Sequence, residues 1–416
     1  MLRVDDSTRS VLIIVQNLPV PLDRRVWQEA TSLRTAGFRV AVICPKSKTY
    51  WKGYEKIEGI DIYRYPLLLE ADESFLGYFV EFVYCWFATL FLSWKAYIHC
   101  PFSLIHACNP PDTYFAIGLL YRPLGVKFVF DHHDLCPDLY VAKGHQAKGM
   151  VYRLLLFLER ITLRTADLVI TTNESYREIA IRRAGASERN IVIVRSGPRR
   201  DWARSSRPDA ALKQGRKYLV VSLGTIGKQD GIDYLLRAVH LYCSDYAHDT
   251  LFAVIGDGPR QMAMRRMARE MNLESAVVFT GRISDQQLCA YLATADLCVD
   301  PDPWTEFTNV STMNKIIEYM SLGKAIVAFD LKEHRRSALE AACYVKPNDI
   351  PQYARAVREL LEDQERREQM SRFARARFEG ELAWEVSEAH LLCAYQRLSN
   401  GSTSAIYKDK AWQASE

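Results

Sequence analysis

Two imidazoles stand between two carboxylates in the tetrapeptide Asp131–Asp134, which reads D-H-H-D and directly follows an apolar run. An imidazole changes charge near neutral pH, so this group is suited to general acid–base chemistry or to hydrogen bonding with a polyhydroxylated substrate. His106 and Asn109 follow the preceding apolar run and are expected to join the same rim. A metal site is the alternative, although no third cluster of ligand residues lies nearby in the sequence.

Arg24 and Arg25 fall in the first turn of a predicted helix that Asp23 is expected to cap. Cations are disfavoured there by roughly 0.3–1 kcal/mol each, because the helix dipole has its positive end at this turn. Two tolerated arginines therefore indicate an anionic partner at this loop. The alternative is a local ion pair between Arg25 and Glu29, four residues further along the helix.

The second half of the chain carries glycine-containing loops after predicted strands. Small residues let backbone N–H groups approach a phosphate, and the next helix offers its positive end. Each loop taken alone is more often a simple turn, and the first is not a P-loop, because no Gly-Lys-Ser/Thr follows. The loops are Gly224–Gly231, which includes Gly227 and Lys228, then Gly256–Pro259 and Gly281–Arg282.

A short helix is predicted after Ser311, which can cap it, and Gly323 is expected to end it before a buried strand at Ala325–Phe329. Its buried face, spaced i, i+3, i+4 and i+7, consists of Met313, Ile316, Ile317 and Met320. Lys315 and Glu318 are three residues apart and flank this stripe. Considered alone, such a pair is most often a solvated ion pair of little consequence.

Two domains must position these loops, since 416 residues exceed the size at which one hydrophobic core stops growing. The predicted strands of the first half are Val11–Val15, Arg39–Cys44, Ser103–Ala107, Lys127–Phe130, Asp167–Thr171 and Asn190–Val194. Those of the second half are Tyr218–Leu223, Leu251–Ile255, Ala276–Phe279, Leu297–Asp300 and Ala325–Phe329. Helical patterns between the strands indicate parallel sheets, and 199–216 has the composition of a linker. We therefore predict an α/β fold of two doubly wound Rossmann-like domains that face each other across a cleft.

The totals exclude several classes of protein. A composition of 49% hydrophobic and 25% charged residues is ordinary for a globular protein. A net charge of +4 is too small to indicate nucleic acid as a partner. The ten cysteines form no C-x-x-C pair, which is typical of thiols in a reducing compartment. The N-terminus lacks the apolar core of a secretory signal, so a cytoplasmic protein is expected.

One stretch, 75–98, is unusually rich in aromatic residues. They are Phe75, Tyr78, Phe79, Phe82, Tyr84, Trp86, Phe87, Phe91, Trp94 and Tyr97. Glu81 and Lys95 interrupt the apolar run, so it is too short to span a membrane. Two alternatives remain open: a long helix packed on the first sheet, or an interfacial helix that lies in a lipid surface.

Several motifs, taken together, resemble the retaining glycosyltransferases of family four, which have the GT-B fold. The motifs are P-L-D-R-R-V-W-Q-E-A, A-G-F-R-V, D-H-H-D-L-C-P-D-L-Y, T-T-N-E-S-Y, G-K-Q-D-G-I-D, I-G-D-G-P and S-T-M-N-K-I-I-E-Y-M-S-L-G-K. They are most similar to members that build bacterial surface polysaccharides (exopolysaccharides), and the likeness runs from about Val11 to about Leu398. It implies an acceptor-binding domain at 1–198, a nucleotide-sugar-binding domain at 199–380 and a helix at 381–398 that crosses back to the first domain. The polar composition of the chain's end predicts a flexible tail at 399–416.

The resemblance also assigns roles to residues. Glu318 matches the glutamate that holds the ribose of the donor, and Lys315 would face the diphosphate. His133 matches the histidine near the donor sugar and the acceptor, while Gly281 and Arg282 match the loop that frames the base. The expected site residues are His133 and Asp134 for catalysis; Gly227, Lys228, Gly256, Arg282, Lys315 and Glu318 for the donor; and Arg24, Arg25, His132 and Asn109 for the acceptor or phosphate side.

The sequence departs from the family pattern in two places. The family has a second glutamate earlier in the helix region, where Val310 stands here. Residues that would hold the sugar instead are Glu306, Asn309 or Asp302. The family also favours Arg and Lys in the first donor-domain loop, where Thr225 and Asp230 stand, so Lys228 and Arg282 become the nearest cations for a leaving diphosphate.

The expected function is transfer of a sugar from a UDP- or GDP-sugar donor to a glycan acceptor, which is expected to be lipid-linked and used at the inner face of the plasma membrane. No metal or other cofactor is expected, because side-chain cations can offset the developing charge. The alternatives are a sugar-nucleotide epimerase of the same fold and a scaffold that binds nucleotide or glycan without catalysis.

Overall fold

The structure is a computed structural model that describes residues 9–67, 75–204, 206–246 and 249–400. These residues divide into two units, each organised around one sheet. Within the described range, the first unit holds 9–141, 146–195 and 387–400, and the second holds 142–145 and 196–386.

An eight-stranded sheet forms the centre of the first unit. Its strands are β1 (Ser10–Ile14), β2 (Arg39–Pro45), β3 (Tyr54–Ile57), β4 (Ile60–Tyr65), β5 (Leu104–Cys108), β6 (Lys127–His132), β7 (Leu168–Thr171) and β8 (Ile191–Ile193). In space they follow the order β3-β4-β2-β1-β5-β6-β7-β8, and all neighbours are parallel except β3 and β4. All five residues of β1 are buried, because this apolar strand lies between β2 and β5 inside the sheet.

In the described residues, the α-helices that connect these strands are α1 (Arg24–Thr35), α2 (Phe75–His99), α3 (Phe115–Tyr121), α4 (Cys136–Ala142), α5 (Gly149–Thr165) and α6 (Glu174–Ile179). The predicted cap of α1 is confirmed, since the Asp23 side chain accepts a hydrogen bond from the Val26 backbone N–H at 3.1 Å. Val26, Ala30 and Leu33 are fully buried, as their spacing predicted. Among the described residues, no helix is long and apolar enough to cross a membrane.

The second unit contains a six-stranded sheet in which every neighbouring pair is parallel. Its strands are β9 (Tyr218–Leu223), β10 (Thr250–Ile255), β11 (Val277–Gly281), β12 (Leu297–Asp300), β13 (Ile326–Phe329) and β14 (Ala342–Val345), in the order β11-β10-β9-β12-β13-β14. Its helices are α7 (Ile232–Asp245), α8 (Gln261–Glu270), α9 (Asp285–Thr294), α10 (Glu306–Val310), α11 (Asn314–Ser321), α12 (Lys332–Ala338), α13 (Ile350–Glu362) and α14 (Gln364–Arg377).

The last helix, α15 (Trp384–Asn400), belongs to the first unit from Ser387 onward. Its Tyr395 is fully buried there and packs edge to face against Phe38, with ring centroids 5.7 Å apart. The tail expected from residue 399 lies, from Gly401 on, outside the described residues.

The predicted start of α11 was wrong, but its predicted end is confirmed. Ser311 does not cap it; its hydroxyl donates to the carbonyl oxygen of Phe307 at 2.8 Å and so closes α10. At the other end Gly323 has a φ of 61°, and its N–H bonds to the Met320 carbonyl while that of Lys324 bonds to the Tyr319 carbonyl. This pair of bonds is the left-handed helix stop for which glycine is suited.

The predicted fold class, two Rossmann-like α/β domains with parallel sheets, is confirmed. The hairpin of β3 and β4 and the edge strand β14 were not predicted from the sequence. The hairpin turns at Glu58-Gly59, where both residues have positive φ angles.

Candidate active site

Side chains from three places in the first unit meet at the carboxyl ends of β5 and β6. These strands are parallel neighbours, with Cys108 opposite Asp131, so both end at the same edge of the sheet. α1 contributes an arginine and a glutamate one turn apart, and the loop after β6 contributes a histidine. We call this group the histidine cluster: Arg25, Glu29, His106, Asp131 and His133.

Arg25 and Asp131 form the centre of the histidine cluster. The Arg25 Nε donates to Asp131 Oδ2 at 2.9 Å and its Nη2 donates to Oδ1 at 2.7 Å, a two-pronged ion pair. Arg25 Nη2 also lies 3.2 Å from Glu29 Oε1, and both carboxylates are fully buried. The local Arg25–Glu29 pair is therefore present, but it lies beside a stronger pair with Asp131.

The two buried carboxylates of the cluster behave differently. Burial opposes ionisation of Asp131, but Arg25 and then His133 outweigh it and hold the pKa of its carboxyl well below its usual value. For Glu29, burial and then the charge of Asp131 raise the pKa to about 7 even though Arg25 is close. At neutral pH, Asp131 is therefore the firmly ionised member of this pair.

His133 lies at the mouth of the cluster, with 15% of its side chain exposed. Its Nδ1 is 3.1 Å from Asp131 Oδ2. Burial alone would lower the pKa of this imidazole, but the Asp131 carboxylate outweighs burial and raises the pKa to about 9. A protonated His133 donates Nδ1–H to Asp131 and offers Nε2–H as a second donor, so it is suited to donating a hydrogen bond and not to accepting a proton.

Asn109 holds the loop that carries His133. Its Oδ1 accepts the backbone N–H groups of His133 at 2.9 Å and Asp134 at 3.0 Å. Its Nδ2 donates to the Asp134 carbonyl at 2.5 Å and to Asp112 Oδ1 at 3.0 Å. Since Asn109 is almost fully buried, its amide positions the loop from beneath.

Two other predicted residues, His132 and Arg24, lie away from the histidine cluster. His132 is fully buried, stacks on Phe130 with centroids 5.4 Å apart, and its Nε2 lies 3.5 Å from Glu159 Oε1. The reason is the strand itself, because successive residues of β6 point to opposite faces of the sheet. Arg24 is exposed to solvent.

His106 links the cluster to α15. Its Nδ1 lies 2.5 Å from the Tyr395 hydroxyl oxygen, and its Nε2 lies 3.5 Å from Glu29 Oε2. Both rings are fully buried, so this histidine supports the cluster from inside the unit.

In the second unit, Lys315 on α11 reaches the carboxyl end of β12. Its Nζ lies 2.5 Å from Asp302 Oδ1 and 3.0 Å from Asp300 Oδ1, and only 8% of the residue is exposed. His334 completes the group, with Nε2 3.4 Å from Asp300 Oδ2. We call Asp300, Asp302, Lys315 and His334 the lysine cluster. The solvated ion pair weighed for Lys315 is thus wrong, because its carboxylate partners are buried at the end of a core strand.

Ionisation in the lysine cluster follows from burial and these short distances. Burial opposes the charge of Lys315, but Asp300 and Asp302 outweigh it and raise the pKa of the ammonium. Burial also opposes ionisation of Asp300, yet Lys315 lowers the pKa of that carboxyl below its usual value. Burial and the charge of Asp300 raise the pKa of Asp302 well above its usual range. Lys315 therefore holds two close carboxyls together in the interior.

Among the described residues, two groups have metal-ligand atoms within 4.8 Å of one another: Glu29, His106, Cys108 and Asp131, and Asp300, Asp302 and His334. Each group already contacts a side-chain cation, Arg25 in the first and Lys315 in the second. A metal ion at either place would have to compete with that cation for the same carboxylate oxygens.

The remaining donor-side predictions lie on surface loops and on α11. Glu318 is half-buried, while Lys228, after β9, and Arg282, after β11, are exposed. The Gly227 N–H, predicted to approach a phosphate, donates to Asp230 Oδ2 at 2.9 Å. At Gly256 an added Cβ would lie 1.8 Å from the Gly224 carbonyl oxygen, so the loops after β9 and β10 touch backbone to backbone.

The three residues that could replace the missing glutamate differ in solvent exposure and in hydrogen-bond partners. Glu306 is exposed in the first turn of α10. Asn309 Oδ1 accepts the Lys332 backbone N–H at 2.8 Å, and Asp302 belongs to the lysine cluster. Of the three, only Glu306 presents an exposed side chain.

Sequence reasoning missed Glu29, Asp300 and His334 as members of these clusters. Two had a signal: Glu29 occupies a position of the buried stripe of α1, and Asp300 ends an apolar strand. A carboxylate in such a position is rarely buried without a charged partner, which predicts a cation nearby. His334 follows β13 by five residues and had no comparable signal.

Two protein families match this chain. The family described as "Glycosyl transferase 4-like domain" matches residues 22–197, and the one described as "Glycosyl transferases group 1" matches residues 217–363. Between them they cover most of the chain, and each falls largely within one unit.

Curated relatives are distant and match in part. A 2-deoxystreptamine glucosyltransferase of Streptomyces kanamyceticus is 23% identical over 252 residues, 58% of this chain and 63% of the relative. A phosphatidylinositol N-acetylglucosaminyltransferase GPI3 subunit of Saccharomyces cerevisiae is 24% identical over 199 residues, 47% of this chain and 42% of the relative. This chain thus spans less than two thirds of the length of either relative.

Solved structures share the fold over nearly the full chain. A sucrose-phosphate synthase from Thermosynechococcus elongatus superposes with a TM-score of 0.74 at 20% identity, covering 95% of this chain and 100% of that one. An Anabaena protein, HepE, in complex with UDP and glucose gives 0.67 at 13% identity, covering 94% and 99%. The two halves of the chain thus each match a glycosyltransferase family model, and the fold is the GT-B fold of solved glycosyltransferase structures.

Proposed function

We propose that this chain is a retaining glycosyltransferase that moves a sugar from a UDP- or GDP-type donor to a glycan acceptor in surface polysaccharide biosynthesis. The acceptor is proposed to be lipid-linked and used at the inner face of the plasma membrane, with contact through 75–98. The observation that carries the proposal is His133, a protonated imidazole held at the end of β6 by the Arg25–Asp131 ion pair.

His133 is suited to the reacting centre for two reasons. Asn109 and Asp131 fix its backbone and ring, so its second N–H has a defined direction toward a sugar hydroxyl. Because its pKa is about 9, His133 is positively charged at neutral pH. A charged imidazole can stabilise an anion or donate to an electron-rich oxygen, but it cannot remove a proton from carbon. In this proposal His133 orients the transferred sugar and stabilises charge, and it does not act as a general base.

On the donor side, we propose that Glu318 binds the ribose hydroxyls. The exposed cations Lys228 and Arg282 lie on loops after β9 and β11 and are better suited to a diphosphate than Lys315. Lys315 is held by Asp300 and Asp302, so its role is to fix the start of α11 and thereby the position of Glu318.

The names of similar proteins mention donors and acceptors that support parts of this proposal. The HepE structure contains UDP and glucose, which favours a UDP-sugar donor for a chain of the same fold. The yeast relative is named for transfer to phosphatidylinositol, which favours a lipid-linked acceptor, whereas the Streptomyces relative is named for transfer to 2-deoxystreptamine. Retention of configuration is what the family resemblance implies.

Nucleotide affinity tests the donor assignment. Glu318→Ala is expected to weaken binding of UDP or GDP, whichever binds to the unaltered protein, by roughly tenfold to a hundredfold, the effect of losing hydrogen bonds to a charged group. Isothermal titration calorimetry provides the measurement. Glu340→Ala, at an exposed position of the same unit, is the matched control and should leave affinity unchanged. Equal affinity of Glu318→Ala and this control would refute the ribose assignment.

A further inference from the structure

Helix α2 buries its small and polar side chains and exposes its large apolar ones. The side chains that it buries against the sheet are small or polar: Cys85, Thr89, Ser93 and Ala96. The side chains that it exposes are large and apolar: Val80, Val83, Phe87, Phe91, Trp94 and Ile98. Phe91 is 71% exposed and Trp94 is 65% exposed. A helix in contact with water on its outer face normally shows the opposite arrangement.

The same surface continues over two further helices. The connections from β4 to β5, β5 to β6 and β6 to β7 all run in one direction along the sheet, so right-handed crossovers place α2, α3 and α5 on one face. The Ser93 and Tyr121 hydroxyls lie 3.1 Å apart between α2 and α3, and α3 packs against α5. The exposed apolar side chains of α3 and α5 are Leu119, Leu120, Met150, Leu154 and Phe157.

The exposed ionisable side chains of these three helices are basic. The exposed ionisable side chains of α2 and α5 are cations or histidine: Lys95, His99, Arg153, Arg160 and Arg164. Of the two glutamates, Glu81 is half-buried and Glu159 is fully buried against Arg183. Among the described side chains of α2, α3 and α5, no exposed one is acidic. Large apolar groups with interspersed arginines are typical of surfaces that enter the headgroup region of a membrane.

We propose that the exposed face of α2, α3 and α5 docks in the plane of a membrane whose surface carries anionic lipids. Aromatic and aliphatic side chains enter the boundary between headgroups and acyl chains, and Arg153 and Arg160 pair with lipid phosphates. A second copy of the chain is a poorer occupant, because a two-fold contact would bring the same cations together. The inference deepens the proposed lipid-linked acceptor, on whose membrane location it rests, and it extends the surface beyond 75–98.

Co-sedimentation of the full chain with lipid vesicles tests the proposal. Binding to phosphatidylcholine mixed equally with phosphatidylglycerol is expected to exceed binding to phosphatidylcholine alone by roughly tenfold or more, as two or more basic groups near an anionic surface imply. Arg153→Gln with Arg160→Gln should remove most of that preference. Phe91→Gln with Trp94→Gln should weaken binding to both kinds of vesicle by roughly tenfold or more, since two aromatic side chains no longer leave water.

The matched control is Met262→Gln with Arg266→Gln on α8, where both side chains are also exposed, and it should bind as the unaltered chain does. The proposal is overturned if the unaltered chain binds neither kind of vesicle or shows no preference for phosphatidylglycerol. It is equally overturned if Phe91→Gln with Trp94→Gln keeps full binding to vesicles. It is also overturned if the chain forms a dimer without lipid and these substitutions dissociate that dimer. Transfer to a detergent-solubilised lipid-linked glycan is measured separately, without vesicles. The absence of this transfer with intact vesicle binding refutes the proposed function alone, and transfer without vesicle binding refutes the docking surface alone.

Discussion

Asp131→Asn is expected to lower the free energy of unfolding by about 3–5 kcal/mol, the cost of leaving one partner of a buried ion pair without its counter-charge. The substitution keeps the size of the side chain but removes the charge that faces both nitrogens of the Arg25 fork. Arg25 would then keep Glu29 as its nearest carboxylate, at 3.2 Å. Urea unfolding, followed by tryptophan fluorescence, gives the difference between the two proteins.

The pH dependence of that loss identifies its cause. In the unaltered protein the pKa of His133 is raised from 6.5 to about 9, so its contribution to stability is fully present below about pH 6.5 and disappears as the pH rises through about 9. Asp131→Asn removes the charge that raises this pKa. The loss of stability should therefore be larger at pH 6 than above pH 9, and NMR titration of the His133 ring should show a pKa well below 9.

A matched control comes from an exposed pair of the same geometry. Asp330 accepts two hydrogen bonds from the Arg335 guanidinium, but both side chains are open to solvent. Asp330→Asn should cost no more than about 1 kcal/mol, because solvent screens an exposed ion pair. Similar losses for the two variants, or an unchanged pKa of His133, would contradict the role assigned to Asp131.

Lys315→Met should also destabilise the protein by about 3–5 kcal/mol, since it leaves Asp300 and Asp302 close together in the interior without their cation. Lys315 holds the pKa of Asp300 below its usual value, so without it burial and the neighbouring Asp302 raise the pKa of Asp300 in the folded state above the unfolded value of about 3.9. A raised pKa gives stability that is present at low pH and is lost as the pH rises. The variant should therefore lose less stability at pH 5 than at pH 8 in urea unfolding.

Lys213→Met is the control for this second substitution. Lys213 Nζ lies 2.8 Å from Asp296 Oδ2, but both side chains are partly open to solvent, so the expected loss is about 1 kcal/mol or less. If Lys315→Met were no more costly than Lys213→Met at either pH, the lysine cluster would not be the buried structural group described here.

Most of the parallel strands could be predicted from sequence because they contain apolar runs between polar loops, as at Val11–Val15, although the parallel strands β4 and β14 were not predicted. The hairpin of β3 and β4 escaped prediction because its exposed outer strand lacks such a run. Ser311 shows the limit at helix ends: it sits between two helices, and only the folded chain decides that its hydroxyl closes α10 and does not open α11.

For the site residues, the sequence could indicate which residues lie near each other along a loop or helix, but not which way each side chain points. His132 and His133 are adjacent in sequence, yet the strand turns His132 into the core and His133 to the edge of the sheet. Lys315 was paired by spacing with Glu318, whereas its close carboxylates lie 13 and 15 positions away on another element. Contacts such as His106 with Tyr395, 289 positions apart, depend on the tertiary fold and had no local signal.

Retaining glycosyl transfer is tested by the release of free nucleoside diphosphate from a panel of UDP- and GDP-sugars, measured with and without lipid-linked glycan acceptors. We expect one donor to release its nucleoside diphosphate when an acceptor is present, and the glycosidic product to keep the anomeric configuration of the donor by NMR. His133→Ala should lower the rate of this release by roughly a hundredfold or more. Conversion of the donor without an acceptor would indicate an epimerase, and nucleotide binding without any turnover would indicate a scaffold. Either result would rule out the proposed transferase, and full transfer by His133→Ala would rule out His133 at its reacting centre.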